Sequence, residues 1–315
     1  MFSRWLTLFE VATLSCFGSL WSMKTIIFTT KDNYRLSGVL YRSPEAAAST
    51  ATPPKGAVLL VCAMGVPQSF YRSFCEWLAE SGYVAMTFDY RGMGQSRHTS
   101  LRDVRADVMT WAEIDTAAAL EHLAVVLPDV PITWVGHSLG GQIFAFTMDQ
   151  VAPAIAARVK KFTYIAAGSG YWLENAAPTK RRSWLFWFVL GPVLTPLFGY
   201  WPDARLGIVG DLPMGVFYQW KTWCLDREYA VGALPAKYRA LAASVAVPIT
   251  AISFTVDEMM SAKNIAGLQM IYPQQSFQMV RLTPRDLGVK RVGHFGAFRE
   301  VMRASLWERV VLPAL

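Results

Sequence analysis

Short apolar runs alternate with helical patterns through most of the chain. Each run is too short for a core helix and too apolar for a half-exposed strand, and β-branched and aromatic residues are frequent in all of them: AVLLVCA, YVAMTFD, ITWVG, KFTYIAA and PITAISF. Runs of this kind are typical of parallel strands that are covered on both faces. RSFCEWLAESG and DVRADVMTWAEIDTAAALEHLAVVL carry apolar residues at helical spacing between the runs. The pattern predicts a doubly wound α/β fold, preceded by an antiparallel strand pair in KTIIFTT and RLSGVLYR.

The alternation is interrupted between Gly170 and Val247. This segment holds six of the twelve tryptophans and an apolar run, WLFWFVLGPVLTPLFGYWP, that contains Gly191, Pro192 and Pro196. Because these residues break helices, the run is a poor candidate for a membrane span. We expect short packed helices, inserted at the carboxyl ends of the strands, where they can cover a site as a lid.

These patterns divide the chain into one elaborated domain and an extension. Residues 23–170 and 248–315 form the core domain in this interpretation, and residues 171–247 form a helical cap. Residues 1–22 are apolar but interrupted by one acid, and no small-residue cleavage site follows them. Three interpretations stay open: an extension outside the fold, a signal or membrane anchor, and a start at Met23. A cytoplasmic protein is expected from the first, and a membrane-associated or exported one from the second.

Composition and charge narrow the range of partners. Hydrophobic residues make up 53% of the chain and charged residues 17%, which indicates a large core and additional apolar surface to be covered. The net charge of +7 is dispersed, with one tight cluster at Lys180, Arg181 and Arg182. Nucleic-acid binding is therefore not expected, whereas contact with an anionic membrane surface stays open. The four cysteines lack C-x-x-C spacing and are interpreted as buried thiols, and neither a metal nor an organic cofactor is expected.

The sequence GHSLG, residues 136–140, follows one of the strand-like runs and precedes a helical pattern. A G-x-S-x-G in this position is typical of a nucleophile elbow, in which the serine has a strained backbone and the glycines prevent a collision between strand and helix. Ser138 is therefore the candidate nucleophile. Such a serine requires a base, and a third group that holds the base in the right tautomer.

The acid and the histidine should follow the nucleophile along the chain, in that order. His294 follows the strand-like SFQMVRL and stands in a glycine-rich loop, which makes it the candidate base. Asp257 is the preferred acid, with Glu258 as the alternative, because a short side chain directly after a strand is readily fixed by backbone N–H groups. The remaining histidines are interpreted as solvated or structural: His98, His122 and His137.

A serine that attacks an acyl group also needs two N–H donors for the oxyanion. Leu139, directly after the nucleophile, is expected to supply one. The other should come from the loop AMGVPQSFY, where Val66 is preferred and Met64 is the alternative. Pro67 has no N–H to donate.

Four of these stretches together resemble the α/β-hydrolase superfamily: GHSLGG at 136–141, DYRGMGQS at 89–96, the strand-following Asp257 and GHFG at 293–296. The resemblance is to a bacterial group described as predicted α/β hydrolases or serine-aminopeptidase-like hydrolases, and it covers residues 24–315. It implies a mostly parallel eight-stranded sheet flanked by helices, with Ser138, Asp257 and His294 as a triad. One departure is Met64-Gly65, where many relatives have His-Gly.

The expected activity is hydrolysis of small carboxylic esters through an acyl-enzyme, with a preference for apolar substrates. We expect the substrate to contact Met64, Trp184, Trp187 and Phe188. Three alternatives stay open: an acyltransferase with the same triad, a lipase or phospholipase at a membrane surface, and a non-catalytic binding protein. The aromatic residues of the cap segment are also compatible with simple packing on the core domain, or on a second subunit in a homodimer.

Overall fold

A computed structural model describes residues 22–43, 53–203, 207, 209–273 and 277–315. The proposed extension at residues 1–22 lies outside these residues, apart from Ser22, which begins the first strand.

Eight strands form the central sheet, and two short ones form a separate ribbon. They are β1 (Ser22–Thr29), β2 (Arg35–Arg42), β3 (Ala57–Val61), β4 (Val84–Phe88), β5 (Ile132–His137), β6 (Val159–Ile165), β7 (Tyr200–Trp201), β8 (Leu212–Pro213), β9 (Ile249–Phe254) and β10 (Phe277–Leu282). The order in the sheet is β1-β2-β4-β3-β5-β6-β9-β10, and β7 pairs with β8. Among these eight strands β2 runs opposite to the other seven, so its pairs with β1 and β4 are antiparallel. The eight-stranded, mostly parallel sheet is confirmed, and so is the antiparallel pair at its edge.

The apolar runs of the sequence form buried strands, as their composition predicts. Every residue of β3, β4 and β5 is buried, because helices cover both faces of the sheet. The covering helices and turns outside the β6–β9 segment are Gln68–Tyr71, Arg72–Glu80, Gly94–Ser96, Val108–Thr110, Trp111–Thr116, Ala117–Val126, Leu139–Gln142, Phe144–Met148, Pro153–Ala156, Ala262–Gln269, Gly296–Phe298, Glu300–Met302, Arg303–Val311 and Leu312–Ala314.

Between β6 and β9 the chain forms the short helices that the tryptophan-rich segment predicts. They are Trp172–Glu174, Ala177–Leu185, Phe186–Leu190, Gly191–Phe198, Met214–Leu225, Ala230–Ala233 and Ala236–Ala243. Ala177–Phe198 is one continuous helical run, with a wider π-helical turn at Phe186–Leu190. Within the described parts of the chain, no helix has both the length and the apolarity to cross a membrane.

An aromatic cluster holds this segment together: Phe186, Trp187, Trp201, Phe217 and Trp220. The rings of Phe186 and Trp201 are 4.8 Å apart, as are those of Trp187 and Trp220, and Trp201 stacks on Phe217 at 5.4 Å. Phe186, Trp187, Trp201 and Phe217 are buried. Since these rings come from three different stretches of chain, their burial stabilises the helices against one another.

The DYRGMGQS stretch is structural. Arg91 Nε donates to Asp115 at 2.8 Å, and its terminal nitrogens donate to Asp32 at 2.6 and 2.9 Å. The Asp89 carboxylate accepts the backbone N–H of Gln68 at 2.7 Å and that of Gln95 at 2.9 Å. These charge-assisted bonds fix the loop that follows β4 to its neighbours.

Candidate active site

Ser138 stands at the sharp turn between β5 and the helix Leu139–Gln142. Its φ of 49° and ψ of −112° are rare for a residue with a side chain. A Cβ on Gly136 would lie 2.3 Å from the carbonyl oxygen of Gly140, and one on Gly140 would lie 2.1 Å from that of Val61. Only glycine fits at both positions, so the helix returns close to the strand and leaves the serine at the turn.

Asp257 and His294 form a buried pair. The Nδ1 atom of His294 lies 3.0 Å from Oδ2 of Asp257. The other carboxylate oxygen of Asp257 accepts the backbone N–H groups of Met259 at 2.8 Å and Met260 at 2.9 Å. Burial alone would raise the pKa of Asp257, but His294 and these N–H groups hold that pKa below its usual value. An ionised carboxylate accepts only, so Nδ1 carries the proton and Nε2 is left as the basic nitrogen.

A cavity of about 300 Å³ brings Ser138 and His294 together. Its wall includes Leu139 and Met64 from the sheet side, and Phe186 and Trp187 from the helices between β6 and β9. A strained serine and a basic imidazole nitrogen at one cavity are the components of nucleophilic acyl chemistry.

Two of the four residues expected at the substrate lie elsewhere. Met64 and Trp187 line the cavity. Trp184 and Phe188 instead lie on the outer surface, where they are 57% and 44% exposed. The physical reason is the helical period. Trp184 and Phe188 stand two positions before and two positions after the buried Phe186, and helical residues two positions apart do not share a face.

Comparisons with known proteins give one family match and several similar solved structures. Residues 52–191 match the family model described as serine aminopeptidase, S33. An esterase from Pyrococcus furiosus is similar in structure, with a TM-score of 0.52 and 15% identity over 94% of this chain and 91% of that one. The esterase domain of a Rhodothermus marinus protein has a TM-score of 0.54 and 16% identity over 92% and 96% of the two chains. Brefeldin A esterase, a bacterial homologue of human hormone-sensitive lipase, has a TM-score of 0.56 and 12% identity over 98% and 78%.

The chain has the α/β-hydrolase fold. None of the curated proteins matches it. This fold carries a nucleophile, an acid and a histidine in that order along the chain. Here a serine follows β5 at a sharp turn, an aspartate follows β9 and a histidine follows β10.

The two alternative oxyanion donors, Val66 and Met64, lie in one turn. The N–H of Val66 donates to the carbonyl oxygen of Ala63 at 3.3 Å, and Gly65 between them has a φ of 69°. This is a type II turn, which requires a positive φ at its third residue. Val66 N–H is thus held in a long hydrogen bond, while Met64 lines the cavity, so the two residues stay alternatives. Leu139 lines the cavity directly after the nucleophile.

Glu258, the alternative acid, contacts the histidine loop and not the imidazole. One of its carboxylate oxygens accepts the backbone N–H of His294 at 3.1 Å and lies 3.3 Å from Arg291. A Cβ on Gly293 would lie 2.7 Å from the same oxygen. The two neighbouring acids therefore contact different parts of His294, Asp257 the ring and Glu258 the backbone.

His137 is buried in a structural position, and the sequence reasoning missed its hydrogen-bond partners. It is fully buried, its Nδ1 lies 2.8 Å from the hydroxyl of Tyr71, and its Nε2 lies 3.0 Å from the carbonyl oxygen of His294. The Tyr71 hydroxyl accepts the N–H of Ala63 at 2.9 Å, so it donates its own proton to Nδ1, and Nε2–H donates to His294. A directed chain of hydrogen bonds thus connects Ala63, at the start of the turn that holds Met64 and Val66, to the backbone of His294. The adjacent position of His137 and Ser138 was the available signal, but it does not reveal the partners.

Proposed function

We propose that the protein is a serine hydrolase that cleaves carboxylic esters. Ser138 is the nucleophile, His294 the general base and acid, and Asp257 the group that orients the imidazole. The observation that supports this most is the 3.0 Å contact between His294 Nδ1 and Asp257, at the same cavity as the strained Ser138.

The reaction follows from the protonation states. As the Ser138 oxygen bonds to the acyl carbon, its proton passes to Nε2 of His294, and Asp257 stabilises the imidazolium. The carbonyl oxygen becomes an oxyanion that accepts N–H bonds from Leu139 and from Val66, or from Met64 in its place. Collapse of this intermediate expels the alcohol, which takes the proton from His294. Water then attacks the acyl-serine by the same route, which releases the acid and restores the hydroxyl.

The cavity wall indicates an apolar acyl or alcohol group. Its described lining is dominated by side chains such as Met64, Phe186 and Trp187. An aminopeptidase would need a free carboxylate to hold the ammonium group of its substrate. Glu258 is the acid among the described lining residues, and it is already bound to the His294 backbone and to Arg291. This favours esters over amino-terminal peptides.

A fluorophosphonate probe and a panel of p-nitrophenyl esters test the proposal. We expect the probe to label the wild-type protein once and Ser138→Ala not at all, with loss of ester hydrolysis in parallel. Ser169→Ala is the matched control, because Ser169 is equally buried but lies outside the Ser138 cavity. Labelling of Ser138→Ala at the wild-type level would refute the assignment of the nucleophile. Product analysis in the presence of an alcohol acceptor distinguishes hydrolysis from acyl transfer.

A further inference from the structure

The helical run Ala177–Phe198 carries an exposed apolar stripe on its outer face. Seven of the fifteen large apolar side chains that are exposed in the described part of the chain lie within it. They range from 37% to 70% exposed: Trp184, Leu185, Phe188, Val189, Val193, Leu197 and Phe198. We call these seven residues the outer stripe. Their concentration in fifteen consecutive positions distinguishes them from the scattered apolar residues that any protein surface contains.

The outer stripe belongs to a helix whose opposite face is fully used. Leu185, Val189, Val193 and Leu197 follow one another at intervals of four residues, so each lies close to the next on the helix surface. The inward side chains of Phe186 and Trp187 join the aromatic cluster and the cavity wall. Packing within the fold therefore explains the inner face and leaves the outer stripe in water.

A basic cluster stands at the start of the same helical run. Lys180, Arg181 and Arg182 are adjacent, and no aspartate or glutamate occurs from residue 175 to residue 202. None of the three takes part in an ion pair with a described residue. A fourth cation, Lys221, lies 5.9 Å from the ring of Phe188. The stripe is thus bordered by positive charge that has no acidic partner in its own segment.

We propose that the outer stripe and the basic cluster dock the protein on an anionic lipid surface. Helices that lie in the interface of a bilayer typically carry Trp, Phe and Leu on one face, with Lys and Arg beside them. The apolar side chains enter the boundary of the acyl chains, and the cations meet the headgroups.

Docking in this orientation bears on the substrate. Arg182 is exposed and also lines the cavity of Ser138, so the cavity opens beside the docking surface. An ester held in the lipid layer can then reach Ser138 from that layer. This extension to a lipid-embedded ester rests on the proposed function, whereas the docking itself does not.

The charge distribution favours lipid over a second copy of this chain. In a two-fold dimer the same patch contacts itself, so two basic clusters with no acid between them would face one another. An anionic membrane supplies the opposite charge. The overall net charge of +7 acts in the same direction.

Sedimentation of the full-length protein with vesicles tests the docking. We compare vesicles of phosphatidylcholine with vesicles that also contain phosphatidylglycerol, and expect binding to the anionic ones. The triple variant Leu185→Ser, Val193→Ser, Leu197→Ser should lower the partition coefficient roughly 100-fold, because three inserted side chains are lost. The double variant Lys180→Gln, Arg181→Gln should lower it about 30-fold on anionic vesicles alone.

A matched control replaces three other exposed apolar residues: Val125→Ser, Met270→Ser and Val301→Ser. It should bind as the wild type does. Hydrolysis of a soluble p-nitrophenyl ester should be the same in all of these proteins, whereas hydrolysis of a vesicle-embedded ester should fall only in the docking variants.

Three results would overturn the docking proposal. The first is failure of the wild type to bind anionic vesicles, and the second is equal binding by the triple variant and the wild type. The third is that the wild type and the other variants are dimers in solution while the triple variant is a monomer. The last would assign the stripe to contact between copies. Absence of soluble-ester hydrolysis in a wild type that binds vesicles would instead reject the proposed function and leave the docking intact.

Discussion

The buried His137 should make the folded protein sensitive to acid, and His137→Gln should remove that part of the sensitivity. Burial, assisted by the neighbouring His294, lowers the pKa of His137 to about 3 from the ordinary value of 6.5. At pH values between these two pKa values the imidazole is protonated in the unfolded chain and neutral in the folded protein. The free energy of unfolding therefore falls as the pH falls, by about 1.4 kcal/mol per pH unit.

The magnitude follows from the two pKa values. From about pH 7.5 to about pH 4.5 the loss from this one imidazole is about 2.7 kcal/mol. Glutamine cannot titrate, so the variant should lack this loss. At neutral pH it should be less stable by about 1–3 kcal/mol, because the Tyr71 hydroxyl loses its acceptor. The stability curves of the two proteins should then converge as the pH falls.

Urea unfolding at a series of pH values, followed by tryptophan fluorescence, measures the difference. His98→Gln, which removes an exposed imidazole, gives the baseline for loss of a histidine. Parallel stability curves for the wild type and His137→Gln would refute the buried neutral state. An NMR titration of the wild type is an independent check: the His137 ring signals should stay constant from about pH 8 to about pH 5.

Two further predictions concern the site itself. Asp257→Asn should lower kcat roughly 10³- to 10⁴-fold, since an amide holds the imidazole in the wrong tautomer. Glu258→Gln should stay within about tenfold of the wild type, because Glu258 contacts Arg291 and the backbone of His294 but not its ring. Equal losses in kcat would contradict this division. Trp187→Ala should move the acyl-length optimum on the p-nitrophenyl ester panel to longer chains, because Trp187 lines the cavity. It should also lower the melting temperature, because Trp187 packs on Trp220. A lower melting temperature with an unchanged optimum would show that Trp187 serves packing alone.

The sequence predicted the sheet and the elbow because both depend on local chemistry. A fully buried parallel strand must be a short apolar run, and β3, β4 and β5 are such runs. The elbow requires glycine wherever a Cβ would collide with backbone, and the collisions at Gly136 and Gly140 are with carbonyl oxygens that cannot move aside. Constraints of this kind involve only a few adjacent residues, so they can be recognised in the sequence.

The hydrogen-bond chain through His137 could not be predicted in this way. Its members are far apart in sequence: the bond from His137 to Tyr71 spans 66 positions, and the bond to His294 spans 157. The sequence favours a structural role for a histidine next to the nucleophile, because the two side chains point in different directions, but it does not identify the partners of that histidine. The same holds for Glu258, whose role is set by the path of the backbone at Gly293 and His294.

The two faces of the helical run Ala177–Phe198 were obscured for a different reason. Helical periodicity is read from the contrast between apolar and polar positions, and the stretch WLFWFVL, which begins at Trp184, has no polar residue to provide it. The π-helical turn at Phe186–Leu190 also changes the register, since a wider turn delays the return of each side chain to the same face. A stretch that is apolar all around is normally buried all around. Here the inner half lines the cavity, and the outer half is exposed beside cations that form no ion pair with a described residue. Burial of the outer half in lipid would account for a stretch that is apolar on all sides.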